Sequence, residues 1–151
     1  MKRLILLLLI LIPFLSFGQD NKIYKNVGGN YIVVGAFKDV GSLWSDKWIV
    51  YQKRGSSFVE FGKVESNNLF VKNGNSYNKV MEHITKDYKS YIIRTNESSQ
   101  RLIGKWHLGI IYAKTGEGNW WTGTEWKEVG KVENGAWSAI LCGALLLLYQ
   151  Y

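Results

Sequence analysis

Cysteine, proline and histidine are scarce in this sequence, which has one Cys, one Pro and two His among 151 residues. One cysteine excludes an intrachain disulfide framework and a multi-cysteine zinc site. One proline excludes a proline-rich linker protein. With 46% hydrophobic and 21% charged residues the chain has the composition of a folded protein, and its length predicts one domain with its own core.

The N-terminus has the three parts of an export signal. The basic pair Lys2-Arg3 precedes nine apolar residues, 4–12, and a small-residue cleavage pattern ends at Gly18. Nine residues are far fewer than the about 20 that a helix needs to span a bilayer. We therefore expect a cleaved signal peptide over residues 1–18 and a protein exported to the periplasm, the envelope or the medium.

Lysine dominates the charge of the remaining chain. Residues 19–151 carry 17 basic and 12 acidic side chains, a net charge of +5, and only three of the basic residues are arginine. The lysines are spread along the chain, whereas nucleic-acid readers concentrate Lys and Arg on one face. We expect no nucleic-acid partner and only weak attraction to anionic envelope lipids and glycans.

Alternating apolar and polar residues predict an all-β protein. Runs rich in β-branched and aromatic residues are bounded by Gly, Asn and Ser clusters, as in strands joined by hairpin turns. The predicted strands are 31–37, 47–53, 57–64, 69–72, 90–95, 105–114 and 124–132. Seven or eight strands in this order bury their apolar face by curling into a small antiparallel up-and-down barrel or a strongly curled sheet.

One segment fits two interpretations. Tyr77, Val80, Met81 and Ile84 recur at helical spacing, which favours a short amphipathic helix over residues 77–89. A strand is the alternative at the same place.

Four short motifs follow one another through the second half of the chain. They are Gly74–Tyr77 (GNSY), Glu82–Ile84 (EHI), Leu102–Leu108 (LIGKWHL) and Gly123–Val129 (GTEWKEV). Their order and rough spacing resemble those of secreted bacterial lipocalin-like (calycin) domains, over roughly residues 30–132. The resemblance implies an antiparallel β-barrel that binds a small molecule, and it implies a strand over Tyr77–Ile84.

No residue pattern predicts catalysis or metal binding. Cys142 lies in an apolar run where burial leaves a thiol inert, and His83 and His107 have no metal-ligand spacing around them. Glu125 and Glu128 are a candidate carboxylate pair for glycan hydrolysis, but twelve acidic residues supply such pairs by chance. We expect no enzyme activity, no metal and no cofactor.

Aromatic residues supply the candidate binding site. On a continuous strand over 105–114, Trp106 and Tyr112 share the apolar face, and we expect both, with Trp48 and Trp121, to point into the barrel. Trp120 and Trp121 are adjacent in sequence, so on a strand they face opposite sides. One of them would then offer a flat surface to a sugar ring or at a ligand mouth. The candidate ligand-binding residues are Trp48, Trp106, Tyr112, Trp120 and Trp121.

The C-terminal segment, 136–151, is apolar and uncharged. It is too short to span a bilayer as a helix, so we predict a buried strand or helix, or a weak membrane tether. The chain then divides into the signal peptide (1–18), a lipocalin-like β domain (19–135) and this segment.

Two functions fit these features. The first is a secreted protein that holds a small apolar or amphipathic molecule in a continuous barrel cavity of about 300–1,000 Å³. The alternative is a structural or adhesive envelope protein whose exposed Trp patch contacts glycan or protein. Peripheral membrane contact through the C-terminal segment is compatible with either function.

Overall fold

The structure is a computed structural model that describes residues 21–42, 46–86, 89–95, 100–115, 125–133 and 136–150. This part of the chain forms ten strands and one helix. The strands are β1 (Lys22–Val27), β2 (Asn30–Asp39), β3 (Lys47–Arg54), β4 (Ser57–Glu65), β5 (Asn68–Asn73), β6 (Ser76–Lys86), β7 (Lys89–Arg94), β8 (Arg101–His107), β9 (Ile110–Thr115) and β10 (Glu125–Val132), and the helix is α1 (Trp137–Leu148). The predicted signal peptide, 1–18, lies outside the described residues.

The strands form a closed up-and-down barrel, which confirms the predicted fold class. Each strand pairs antiparallel with the next along the chain, and β1 pairs with β10 to close the sheet. The closing register aligns Ile23 with Val132 and Lys25 with Gly130. Closure removes the unpaired edges that an open sheet exposes.

Helix α1 lies inside the barrel. It contacts strands on all sides, namely β1 to β5 and β8 to β10, and nine of its twelve residues are buried. A helix that is apolar all round is stable only where every face is covered. The uncharged C-terminal segment therefore forms part of the core together with the strands, and the expectation of a continuous cavity along the barrel is wrong at its centre.

Four consecutive leucines of α1 each meet a glycine of the barrel wall. The pairs are Leu145 with Gly62, Leu146 with Gly35, Leu147 with Gly130 and Leu148 with Gly104. Successive helical residues point about 100° apart, so four in a row point to all sides of the helix. The glycines make room for them: a Cβ at Gly104 would lie 2.3 Å from Leu148 Cδ1.

Residues 76–86 form strand β6, so the helix predicted over residues 77–89 is wrong. The register of β6 with β5 skips Val80, which forms a β-bulge. Val80 and the following Met81 are both buried. A bulge shifts the alternation of faces by one residue, and this break in the period of two produced the apparent helical spacing.

The strand predicted over 105–114 is two strands joined by a tight turn. Leu108 and Gly109 have φ angles of 49° and 79°, the positive values of a two-residue hairpin turn. Trp106 pairs with Ile111 and Lys105 with Tyr112, so Trp106 and Tyr112 lie on opposite faces of the sheet. Leu108 is 87% exposed at the tip of the turn.

Candidate functional site: the open mouth of the barrel

The two ends of the barrel differ in how α1 meets them. The closed end carries the turn at Leu108–Gly109 and the start of α1 at Trp137. The mouth is the opposite end, where the turns Gly28–Gly29 and Gly55–Ser56 lie and where α1 finishes.

Inner-face residues at the mouth are exposed because α1 does not reach them. Val27 lies four residues after the buried Ile23 on β1, so both face the inside of the barrel. Ile32 pairs with Lys25, which faces the same side. Val59 pairs with Gln52, and Gln52 pairs with Gly35, which contacts the helix. Val27, Ile32 and Val59 are 50%, 49% and 43% exposed. The barrel wall thus extends past the helix as an apolar funnel.

A pocket of about 310 Å³ lies in this mouth. Its lining residues are Lys25, Val34, Gln52, Lys53, Val129, Leu146, Leu147 and Gln150. Apolar side chains come from α1, β2 and β10, and the described lining includes two lysines and no carboxylate. The volume is at the lower end of the range for small-molecule pockets, about 300–1,000 Å³.

The hairpin of β1 and β2 forms one wall of the pocket and separates from both neighbouring strands. Its pairing with β3 ends at Gly35, opposite Gln52, and its pairing with β10 ends at Lys25, opposite Gly130. The pairing within the hairpin continues to Val27 opposite Asn30. The outer half of this hairpin is therefore held by its own ladder, and the pocket opens beside it.

Glu128 ties the outer half of the hairpin to β10. Its carboxylate accepts hydrogen bonds from the Tyr31 hydroxyl and from Asn26 Nδ2, the latter at 2.8 Å. These two donors lower the pKa of Glu128 below its usual range, because they stabilise the ionised form. The Lys131 ammonium lies 4.3 Å from the centre of the Tyr31 ring. The tie uses the outer face of the barrel and leaves the inner face free for a ligand.

The closed end is sealed by aromatic side chains. His83 is 6% exposed, and its ring centre lies 4.7 Å from that of Trp106 and 5.4 Å from that of Trp137. Burial lowers the pKa of His83. Its Nδ1 lies 3.5 Å from Asn67 Oδ1, while Nε2 has no hydrogen-bond partner among the described residues. A neutral imidazole therefore packs here as an aromatic ring.

The predicted binding residues are not gathered at one place. Trp48 packs against Phe37 with ring centres 5.6 Å apart, and its Nε1 donates to Asp46 Oδ1 at 2.6 Å. Trp106 belongs to the closed-end seal. Tyr112 lies on the outer face, so its expected inward orientation is wrong, and the Lys105 ammonium is 5.7 Å from its ring. Trp120 and Trp121 lie outside the described residues.

The described residues hold no group of three or more His, Cys, Asp or Glu side chains placed to bind a metal. Cys142 is fully buried, and burial raises the pKa of its thiol well above the usual value. Of the candidate carboxylate pair, Glu128 is engaged by Tyr31 and Asn26, and Glu125 is exposed near the mouth. No helix in the described part of the chain is long and apolar enough to cross a bilayer.

Sequence reasoning missed the residues that line the pocket. They come from four strands, helix α1 and Gln150, and only Val129 belongs to one of the four motifs. The sequence did contain one signal, the run Leu145–Leu148. On a helix these four side chains point to different sides, so each needs a contact in a surrounding wall, and glycines inside otherwise apolar strands provide the space. Comparison with protein-family models, curated proteins and solved structures finds no match to this chain.

Proposed function

We propose that this chain is a binding protein that holds a small amphipathic molecule with an anionic head group in the mouth of its barrel. The observation that carries the proposal is the pocket, in which valine and leucine side chains adjoin Lys25 and Lys53 without a carboxylate in the described lining. An acyl chain would contact the apolar surface, and its head group would lie beside the ammonium groups. The ligand sits above α1 and does not replace it.

Straight-chain acids of increasing length test the proposal by calorimetry. Octanoate and decanoate should bind, and each added methylene should tighten binding about fourfold until the pocket is full. Decanol should bind more weakly than decanoate, and decyltrimethylammonium most weakly, since the tails are the same and only the head-group charge differs. Equal affinity for all three head groups, or no binding, would overturn the proposal.

Two classes of variant separate the head-group contact from the tail contact. Lys25→Gln with Lys53→Gln should weaken decanoate about tenfold and leave decanol unchanged. The matched control replaces two exposed lysines away from the pocket, Lys38→Gln with Lys89→Gln, and should change neither affinity. Val34→Trp fills the pocket and should abolish binding of both compounds, with thermal unfolding as the check that the variant folds.

We also propose that the protein is exported and acts in the periplasm, the envelope or the medium, as a calycin-type binding protein. The basic and apolar N-terminus and the barrel with a ligand-sized pocket at one end support this. N-terminal sequencing of the protein isolated from its host tests the export step. A mature chain that begins at Gln19 is expected, and retention of residues 1–18 in the cytoplasmic fraction would contradict it.

A further inference from the structure

Two neighbouring hairpins end at the mouth with apolar side chains in solvent. The β1–β2 hairpin turns at Gly28–Gly29 and exposes Val27 and Ile32, and the β3–β4 hairpin turns at Gly55–Ser56 and exposes Phe58 and Val59. Phe58 pairs with Lys53, and both are exposed. Apolar side chains that project from neighbouring hairpin tips can enter the interfacial region of a membrane.

Positive charge accompanies these apolar residues. Lys25, Lys53 and Arg54 are exposed on the same two hairpins, and the described residues provide no ion pair for any of the three. Arg54 Nε donates to Gln52 Oε1 at 3.3 Å. Arg94 and Arg101 are the other arginines of the described chain. They lie opposite each other on the neighbouring strands β7 and β8, at the same end of the barrel.

The closed end has apolar residues too, but with acidic neighbours. Leu108, Val40 and Trp137 are exposed there, and Val40 follows Asp39 directly. Asp46 and Glu65 lie at the same end, where Asp46 accepts from Trp48 and Glu65 pairs with Lys63. The closed end has exposed lysines as well, Lys38 among them, but carboxylates lie beside its exposed apolar residues. The exposed cations of the two mouth hairpins instead lie beside exposed apolar side chains.

We propose that the mouth docks on an anionic lipid bilayer, with the two hairpin tips in the interfacial region. Apolar side chains enter the boundary between head groups and acyl chains, and cations beside them attract anionic lipids. A bilayer suits this surface better than a protein partner, because the apolar residues stand on separate tips around an opening and form no continuous face. This proposal rests on the proposed function and names the membrane as the source of the ligand. The pocket opens onto the docked surface, so a ligand passes from the bilayer into the pocket without crossing water.

Flotation with lipid vesicles tests the docking. The full mature chain should bind vesicles of phosphatidylcholine and phosphatidylglycerol in equal parts, and should bind pure phosphatidylcholine vesicles at least tenfold more weakly. Added salt should weaken the first interaction, because screening reduces attraction between exposed charges. No binding to the mixed vesicles, or equal binding to both, would overturn the proposal.

A pair of double variants places the contact at the mouth. Arg54→Gln with Phe58→Ser removes one cation and one apolar side chain from the β3–β4 tip, and should weaken vesicle binding at least tenfold. An exposed cation near an anionic surface accounts for about fivefold of this loss. Lys38→Gln with Leu108→Ser removes the same kinds of side chain from the closed end and should leave vesicle binding unchanged. An equal loss in both pairs contradicts docking through the mouth.

Decanoate binding separates this proposal from the proposed function. Arg54 and Phe58 do not line the pocket, so the mouth variant should bind soluble decanoate as the unmodified chain does. If the unmodified chain binds decanoate but not vesicles, the docking proposal is wrong and the proposed binding function stands. If it binds vesicles but not decanoate, the docking proposal stands and the proposed binding function is wrong. If the tips instead join two copies of the chain, sedimentation will show a dimer that the mouth variant dissociates, and docking on a bilayer is then wrong.

Discussion

The two ends of one barrel are built from the same hairpins and yet differ in their interiors. At the closed end, the rings of Trp106 and Trp137 pack against His83 at the start of α1, and His83 is only 6% exposed. At the mouth, inner-face residues such as Val27 and Ile32 are about half exposed. The difference arises because the twelve-residue helix is displaced towards the closed end and finishes before the hairpins do.

A barrel that is filled by a helix still leaves a pocket where the helix stops. An ordinary small barrel is packed with side chains from its own strands, whereas a larger one encloses a cavity. Ten strands enclose more space than their side chains fill, and α1 occupies the difference.

Added volume should be most harmful in the closed half. A Cβ at Gly143 would lie 2.6 Å from Val132 Cγ1 and 2.7 Å from Ile111 Cδ1. Gly143→Val should lower the free energy of unfolding by about 3 kcal/mol or more, measured by urea denaturation, because the surrounding core is closely packed. Gln52→Leu, a pocket-lining control, should change it by less than about 1 kcal/mol. Similar losses in both variants would mean that the mouth is as tightly packed as the closed end.

Removing the seal should cost less than overfilling the core. Trp106 is half-buried and stacks on His83, so we expect Trp106→Ala to destabilise the chain by about 2 kcal/mol, below the value for a fully buried tryptophan. Trp126 is the matched control, since its ring lies on the outer face near the Lys105 ammonium, 4.5 Å away. Trp126→Ala should cost under about 1 kcal/mol. Thermal unfolding of the two variants in parallel measures the difference.

Much of the barrel wall follows from the period-two alternation, and strands such as 47–53 and 57–64 match the structure closely. Alternation fails wherever a local backbone feature changes the face. At Val80 a bulge adds one residue, and at Leu108–Gly109 a two-residue turn reverses the chain within an unbroken apolar pattern. At neither position does the residue pattern predict the bulge or the turn more strongly than the alternation predicts a continuous element.

The candidate site was less predictable than the wall. Its residues meet only because α1 ends where β2 separates from β3, and both facts depend on tertiary packing. The aromatic residues were the predicted ligand-binding residues, yet Trp106 packs against His83 at the closed end and Tyr112 lies on the outer surface. None of the described tryptophans lines the pocket, so the aromatic excess did not indicate where the barrel is open.

Acid should loosen the closed end through His83. Burial holds its pKa below the unfolded value of about 6.5, so the unfolded chain binds a proton more readily than the folded one. The stability that the neutral ring provides is complete above pH 6.5 and decreases as pH falls from there through the folded pKa. A pKa difference of one between the two states corresponds to about 1.4 kcal/mol.

Urea denaturation between pH 7.5 and pH 5, an interval centred near the ordinary histidine pKa of about 6.5, measures this effect. His83→Phe should remove most of the decrease, because the ring remains and the titrating group is gone. His107 is exposed, so His107→Phe should retain the decrease and serves as the control. A decrease that persists unchanged in His83→Phe would show that other groups cause it.

The smallest expected effect on stability concerns the tie at the mouth. Glu128→Gln removes the charge that Tyr31 and Asn26 bind, and should change the free energy of unfolding by at most about 1 kcal/mol, because the bonds lie near the surface. Amide hydrogen exchange in 26–34 should nevertheless accelerate, since that half of the hairpin pairs with neither β3 nor β10. Glu65→Gln breaks the Lys63 ion pair at the closed end and should leave this exchange unchanged. If exchange in the hairpin of Glu128→Gln stays as slow as in β4, the backbone ladder alone holds the hairpin in place. Any tolerance of the mouth to substitution then comes from the empty pocket and not from motion of the hairpin.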